Sequence, residues 1–218
     1  MSNAHASHCT ETEEMLHAVS HGIGAVLGAG ALVWMLQRSF AAADAWRVVA
    51  STVYGLSLIA LFTTSTVYHG LHKSPRRELF KLLDHCAIYV LIAGTATPFL
   101  LVAMQTDLRW WLFVGIWALA GAGIWSKLSH GHKHPRISLA SYLLMGWLMI
   151  VALPQLNETI GANGIVWLIA GGVSYTVGAA FYMAKRMYLH HVIWHLFVLG
   201  GAACHFLAVI WYVLPASA

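Results

Sequence analysis

Charge is what this sequence has least of. Asp, Glu, Lys and Arg make up 9% of its 218 residues against 59% hydrophobic ones, too few to cover the surface of a water-soluble domain of that size. Basic residues outnumber acidic ones, 12 to 8. They sit in short gaps between apolar runs and form no continuous stripe, which argues against nucleic acid as a partner. Cysteine is scarce too. Cys9, Cys86 and Cys204 are odd in number and far apart, so no disulfide framework follows and they read as small, polarizable packing residues. The first apolar run also lacks a basic region ahead of it. It follows Glu11, Glu13 and Glu14, which predicts a retained helix rather than a cleaved leader.

What the sequence does hold is long apolar runs. A membrane span needs about 20 such residues, and seven segments qualify: 17–37, 47–69, 83–104, 108–126, 137–153, 163–184 and 191–213. The fifth is short and is expected to end at Pro154. The fold class expected is all-α, a polytopic seven-helix membrane bundle. Residues 1–16 form an N-terminal segment, 17–214 the membrane domain and 215–218 a tail. Nine Lys and Arg fall in the second, fourth and sixth gaps and three in the others. The bias predicts a cytoplasmic N-terminus in the cell's inner or plasma membrane.

His191-Val-Ile-Trp-His195 is the densest chemical signal. Imidazoles four residues apart on a helix differ by about 40° in direction and can reach one point beside it, which is a metal-ligand spacing. His69 closes the second segment four residues after Ser65, and Asp84 opens the third. The predicted topology brings His69, Asp84, His191 and His195 to one depth; an inverted helix would have set about 30 Å of bilayer between them.

Three neutral imidazoles would suit zinc, Zn2+, with water in the fourth position. The undiminished charge of the ion lowers the pKa of such a water toward about 7. Asp84 is then placed as general base or proton donor, and Ser65 as a group orienting a ligand or a substrate carbonyl. Each residue also has a plainer reading. The histidine pair can make interhelical hydrogen bonds, Ser65 can pack helices, and Asp84 can pair with Lys81 or Arg77. Glu14, His17 and His21 share a helical face and either line the entrance to the site or favour the helix N-terminus. His130, His132 and His134 are expected to be solvated in a loop, and His5, His8 and Cys9 are read the same way. His205 lies about 21 Å along the helix from His191, too far to share an ion, and is expected to hydrogen-bond a neighbouring helix.

Taken in order, these motifs resemble the hemolysin III branch of the progestin and adipoQ receptor family, which includes the adiponectin receptors. The resemblance runs over nearly the whole chain. It comprises Glu13-Glu14-Met15-Leu16-His17-Ala18-Val19-Ser20-His21-Gly22, then Ser65 with His69, Leu83-Asp84, Ala93-Gly94-Thr95-Ala96-Thr97-Pro98, and His191 with His195. One position departs: His17 stands where that pattern has asparagine. The resemblance implies a zinc ion held by His69, His191 and His195 at the cytoplasmic side of seven helices, with Asp84 contacting water at the metal. Through the related receptors and the alkaline ceramidases it also implies hydrolysis of lipid amides. The expected function is a zinc-dependent hydrolase of acyl-lipid amides or esters, with a membrane lipid as substrate or ligand. The alternatives are a non-enzymatic sensor of membrane state with structural zinc, and a hemolysin-type pore. Homo-oligomerisation is left open.

Overall fold

The structure, a computed structural model, describes residues 10–215; His5, His8 and Cys9 lie outside the described residues. The first helix, α1, spans Glu11–Ala41 and starts well before the apolar run expected from residue 17. The reason is local. Thr10 Oγ1 accepts the Glu13 amide at 3.2 Å while the Glu13 carboxylate accepts the Thr10 amide at 2.7 Å, a reciprocal cap that satisfies two otherwise orphaned donors. Three acidic residues in the first turn complement the helix dipole. The extension makes Glu14 helical, and with His17 and His21 it points inward.

Helix α2 spans Ala45–Gly70 behind an Asp44 cap. Helix α3 spans Arg77–Pro98 and continues as a π-helical turn over Phe99–Ala103. Pro98 offers no amide hydrogen to the ladder, which accounts for the change of winding there. Helix α4 spans Leu108–His130, and α5 spans Pro135–Trp147 and runs through a 3-10 stretch, Leu148–Ala152, into α6, Leu153–Met183. Helix α7 spans His190–Ala208 and ends in a second π turn, Val209–Val213.

Among the described residues, six stretches are long and apolar enough to cross a membrane, including the 49 residues of Pro135–Met183 taken together. That stretch is not one rod. Gly161 sits at φ 65° and ψ 173°, a conformation that glycine alone adopts cheaply. Trp147 Nε1 donates to Thr176 Oγ1 at 3.0 Å, across 29 residues that would span about 44 Å of unbroken helix. The two arms therefore fold back beside each other at Gly161. Pro154 does not end the fifth segment as expected. It lies in the first turn of α6, where its missing amide hydrogen costs nothing, and the reversal waits for the glycine.

Helix α1 packs along α2, α2 on α3, α3 on α4 and α6 on α7, and α1 meets α7 to close the ring. The interior is filled by Tyr54, Phe99, Met35, Leu100 and Met104, while Trp111, Leu144 and Val26 stand outward, each more than 70% exposed. An apolar exterior of this kind matches a hydrocarbon solvent. Several buried hydroxyls are satisfied within the bundle: Ser39 Oγ donates to the Met35 carbonyl and lies 2.8 Å from Ser51 Oγ. Arg38 reaches from α1 to the carbonyls of Ile210 and Leu214 at 3.3 and 3.2 Å, capping acceptors that the terminal π turn leaves over. His205 Nε2 donates to the Leu168 carbonyl at 3.0 Å, the interhelical bond expected of it, and Gly171 leaves the space its ring occupies.

Candidate metal centre

Four imidazoles converge at one end of the bundle. His17 comes from α1, His69 from the last turn of α2, and His191 and His195 from the first turns of α7. Their ring centroids stand 4.6 Å (His17 to His69), 4.7 Å (His17 to His191), 4.8 Å (His17 to His195), 5.3 Å (His69 to His191), 5.0 Å (His69 to His195) and 4.8 Å (His191 to His195) apart. Six near-equal edges describe a tetrahedron of rings. A fifth, His21, stacks on His195 at 3.7 Å.

The hydrogen bonds around the cluster decide which nitrogens are free. His69 Nδ1–H donates to Glu14 Oε2 at 2.7 Å, and Glu14 Oε1 accepts from Arg77 Nη2 at 2.5 Å. With Nδ1 committed, the lone pair of His69 lies on Nε2, which is buried without a partner. A carboxylate behind a histidine in this way is the usual means of orienting a metal ligand. Ser20 Oγ donates to the His17 carbonyl at 3.0 Å, so its oxygen is left as acceptor for His195 Nδ1–H at 3.5 Å. Both ring nitrogens of His17 and of His21 are buried with no partner. Buried polar atoms are normally hydrogen-bonded, so this concentration of orphaned nitrogens marks the cluster as a ligand-binding one.

The donor set fits a metal ion. One ligand nitrogen each from His17, His69 and His191 lie within 4.8 Å of one another. Triangle geometry puts a point within about 2.8 Å of all three, against about 2.0–2.1 Å for a zinc–nitrogen bond, so a contraction of about 0.7 Å per ring would complete the site. Borderline imidazole donors in near-tetrahedral array are compatible with several first-row metals. This trio contains His17, for which the sequence left open the entrance to the site or the helix N-terminus, and His195 stands beside it as the fourth corner. Its signal was available: His17 and His21 repeat the i, i+4 spacing of His191 and His195 at the same end of the bundle.

Ser65 and Asp84 face each other on the wall of a cavity of about 410 Å3 that His191 and His195 also line, a size in the range of small-molecule sites. Much of the remaining wall is apolar, with Leu61, Ile88, Leu91, Ile92, Phe99 and Val198 among its residues. The ion pair that sequence allowed between Asp84 and Arg77 is not formed, because Arg77 is engaged by Glu14 and stacks over Tyr68 at 5.5 Å. Among the described residues, no ion pair joins Asp84 to Lys81 either. The loop histidines differ from expectation at one position. His132 packs edge-on against His85 at 4.8 Å and its Nε2 is buried, because the short α4–α5 connection folds over the end of α3.

Comparison with known proteins places these residues in company. The profile of the "Haemolysin-III related" family matches residues 9–206. "Hemolysin-3" of Bacillus cereus is 44% identical over 205 residues, 94% of each chain. "Hemolysin-3 homolog" of Bacillus subtilis (strain 168) is 40% identical over 203 residues, 93% of this chain and 95% of the relative. "Monocyte to macrophage differentiation factor" of Homo sapiens is 31% identical over 176 residues, 76% of this chain and 71% of the human protein.

Proposed function

The chain belongs to the haemolysin-III-related family and is an integral protein of the cell membrane, and from that footing we propose that it is a zinc-dependent hydrolase of lipid amides or esters. The observation that carries the reading is a juxtaposition. Buried imidazole nitrogens without hydrogen-bond partners share one end of the bundle with an apolar cavity whose wall holds both His195 and Asp84. In this reading the two arms that meet at Gly161 each cross the bilayer, giving seven spans with the N-terminus cytoplasmic, as the Lys and Arg bias favours.

His69 and His191 belong to either possible trio of ligands, with His195 or His17 completing it. Zinc bound there would polarise an acyl carbonyl and acidify a neighbouring water. The chain's own residues do the rest. The apolar wall from Leu61 to Phe99 seats the acyl chain and excludes bulk water. Asp84 takes the proton from the attacking water and returns it to the departing amine or alcohol. Ser65, opposite Asp84, holds the carboxylate in register. Glu14, through Nδ1 of His69, keeps Nε2 of that ring aimed at the ion.

The test has two arms. Metal analysis of purified protein should show zinc that is lost in His191→Ala, and mass spectrometry of a lipid panel should show release of fatty acid that Asp84→Asn abolishes without loss of metal. Zinc binding with no lipid class losing an acyl chain would end the hydrolase reading.

One observation favours a second reading. A fourth imidazole, His17, completes the tetrahedron, and four protein ligands are the mark of a structural rather than a catalytic zinc. A sensor of membrane state, with the ion tying α1, α2 and α7 together, would follow. The pore-forming alternative has less behind it, since the densely packed interior weighs against a wide channel.

A further inference from the structure

The cavity that His191 and His195 line also carries a second chemical grouping. Along α3 and into the π turn that follows it, the lining runs from Lys81 through Asp84, His85, Ile88, Leu91, Ile92 and Thr95 to Phe99, 18 residues or about 27 Å of helix. That is a slot of hydrocarbon-chain length, with its charged groups, Lys81, Asp84, Lys127 and Lys185, near one mouth, where α3 begins. At that mouth stand Lys81 and Lys127, with His85 and His132 between them.

Lys127 is the unusual member. It is only 3% exposed, whereas Lys73, elsewhere at the same end of the bundle, has a side chain 73% exposed and pairs with Glu11 at 2.5 Å. Among the described residues no carboxylate lies within ion-pair distance of Lys127 or Lys81. Asp84 and Glu78 are the nearby acids, and neither closes on them. His85 Nδ1–H is spent on the Lys81 carbonyl at 2.7 Å. His132, in the loop, is held below its ordinary pKa by burial and by the charges of Lys81 and Lys127, against a smaller opposite pull from Glu78. A lysine kept on the cytoplasmic side by topology alone would reach for water or headgroups; this one turns inward. Two ammonium groups at this mouth disfavour a second metal beside His85 and His132 and favour an anion.

We propose that this mouth is a headgroup site for an anionic single-chain lipid, with Lys81 and Lys127 binding a phosphate and the acyl chain lying along α3 toward Phe99. The scissile region of such a lipid, just past its headgroup, falls beside Asp84, about one helical turn from Lys81. The inference shares with the proposed function only the seating of an acyl chain in this cavity, and it is tested without turnover.

The experiment titrates the full-length protein in non-ionic detergent, by native mass spectrometry, with 1-palmitoyl lysophosphatidate, with 1-palmitoylglycerol, which has the same chain and no charge, and with inorganic phosphate. The expected result is a preference of roughly tenfold or more for the lysophosphatidate over the neutral lipid, about 1.4 kcal/mol. Lys81→Gln with Lys127→Gln should reduce that preference to under about threefold while leaving 1-palmitoylglycerol binding and metal content unchanged, and Lys127→Arg should restore it by keeping the charge. Equal binding of the two lipids, or a preference that survives the double substitution, would overturn the proposal. Inorganic phosphate binding as tightly as the lysophosphatidate would overturn it too, by leaving the chain without a role. Absence of hydrolysis leaves the binding result standing.

Discussion

Glu14→Gln is the sharpest single test of how the histidine cluster is held. The carboxylate is 3% exposed and serves two donors, His69 Nδ1–H at 2.7 Å and Arg77 Nη2 at 2.5 Å. Glutamine keeps the shape but has one acceptor oxygen where glutamate has two, and it presents an amide N–H to the other donor. Either His69 or Arg77 must then lose its partner. Hydrogen bonds to a charged group contribute about 1.5–3 kcal/mol. Substitutions behind a metal-bound histidine typically weaken metal affinity about 10–100-fold, which corresponds to about 1.4–2.7 kcal/mol. Competition between the detergent-solubilised protein and a fluorescent zinc chelator reads this directly. Arg77→Gln should weaken binding less, because it leaves the contact to His69 in place. If Glu14→Gln holds zinc within about threefold of the unmodified protein, the carboxylate does not orient the ligand and the assignment of Nε2 as the free nitrogen of His69 is wrong.

Three further outcomes follow from the geometry. His17→Asn should change the visible absorption band of the cobalt-loaded protein and lower metal affinity by about tenfold or more, on the scale of a lost ligand contact; an unaltered band would remove His17 from the coordination sphere. Gly171→Ala pushes a methyl group into the His205 ring, which is tied to Leu168 and cannot yield. Overpacking of this kind costs about 1–3 kcal/mol, so the thermal transition should fall by about 2–4 °C for each kcal/mol, and an unchanged Tm would show that the ring has room. Reporter fusions at the two termini should give opposite signals, cytoplasmic at the N-terminus and external at the C-terminus; matching signals would mean that Gly161 does not join two crossing arms.

Much of the fold was legible because a bilayer imposes a length on every crossing, and apolar runs announce it. What the runs could not show were the ends. Residues 11–14 are polar and look like a lead-in until the Thr10–Glu13 cap is recognised as a helix start. Pro154 looks like a stop, yet proline is tolerated in a first turn, and the true reversal falls on Gly161, one glycine among 19. The meeting of His69, His191 and His195 was readable from spacing and charge bias because both concern backbone position. His17 was legible as helical and on one face with Glu14 and His21, but its place at the helix end suited an entrance or a cap as well as a ligand, so its repeat of the same spacing carried less weight. Lys127 was counted only for topology. Composition says on which side of a membrane a lysine belongs, but not whether its side chain turns outward or into a cavity.

The reciprocal cap at Thr10 has a reach beyond its own turn. Glu14 is the first residue of α1 whose amide closes a full helical hydrogen bond, 3.0 Å to the Thr10 carbonyl, so the carboxylate behind His69 hangs from the outermost rung of a ladder that ends in water. Unwinding that rung would withdraw the support from an interior imidazole without touching any residue of the bundle's core. Whatever grips, clips or modifies the chain just ahead of Glu11 therefore holds a handle on the buried centre.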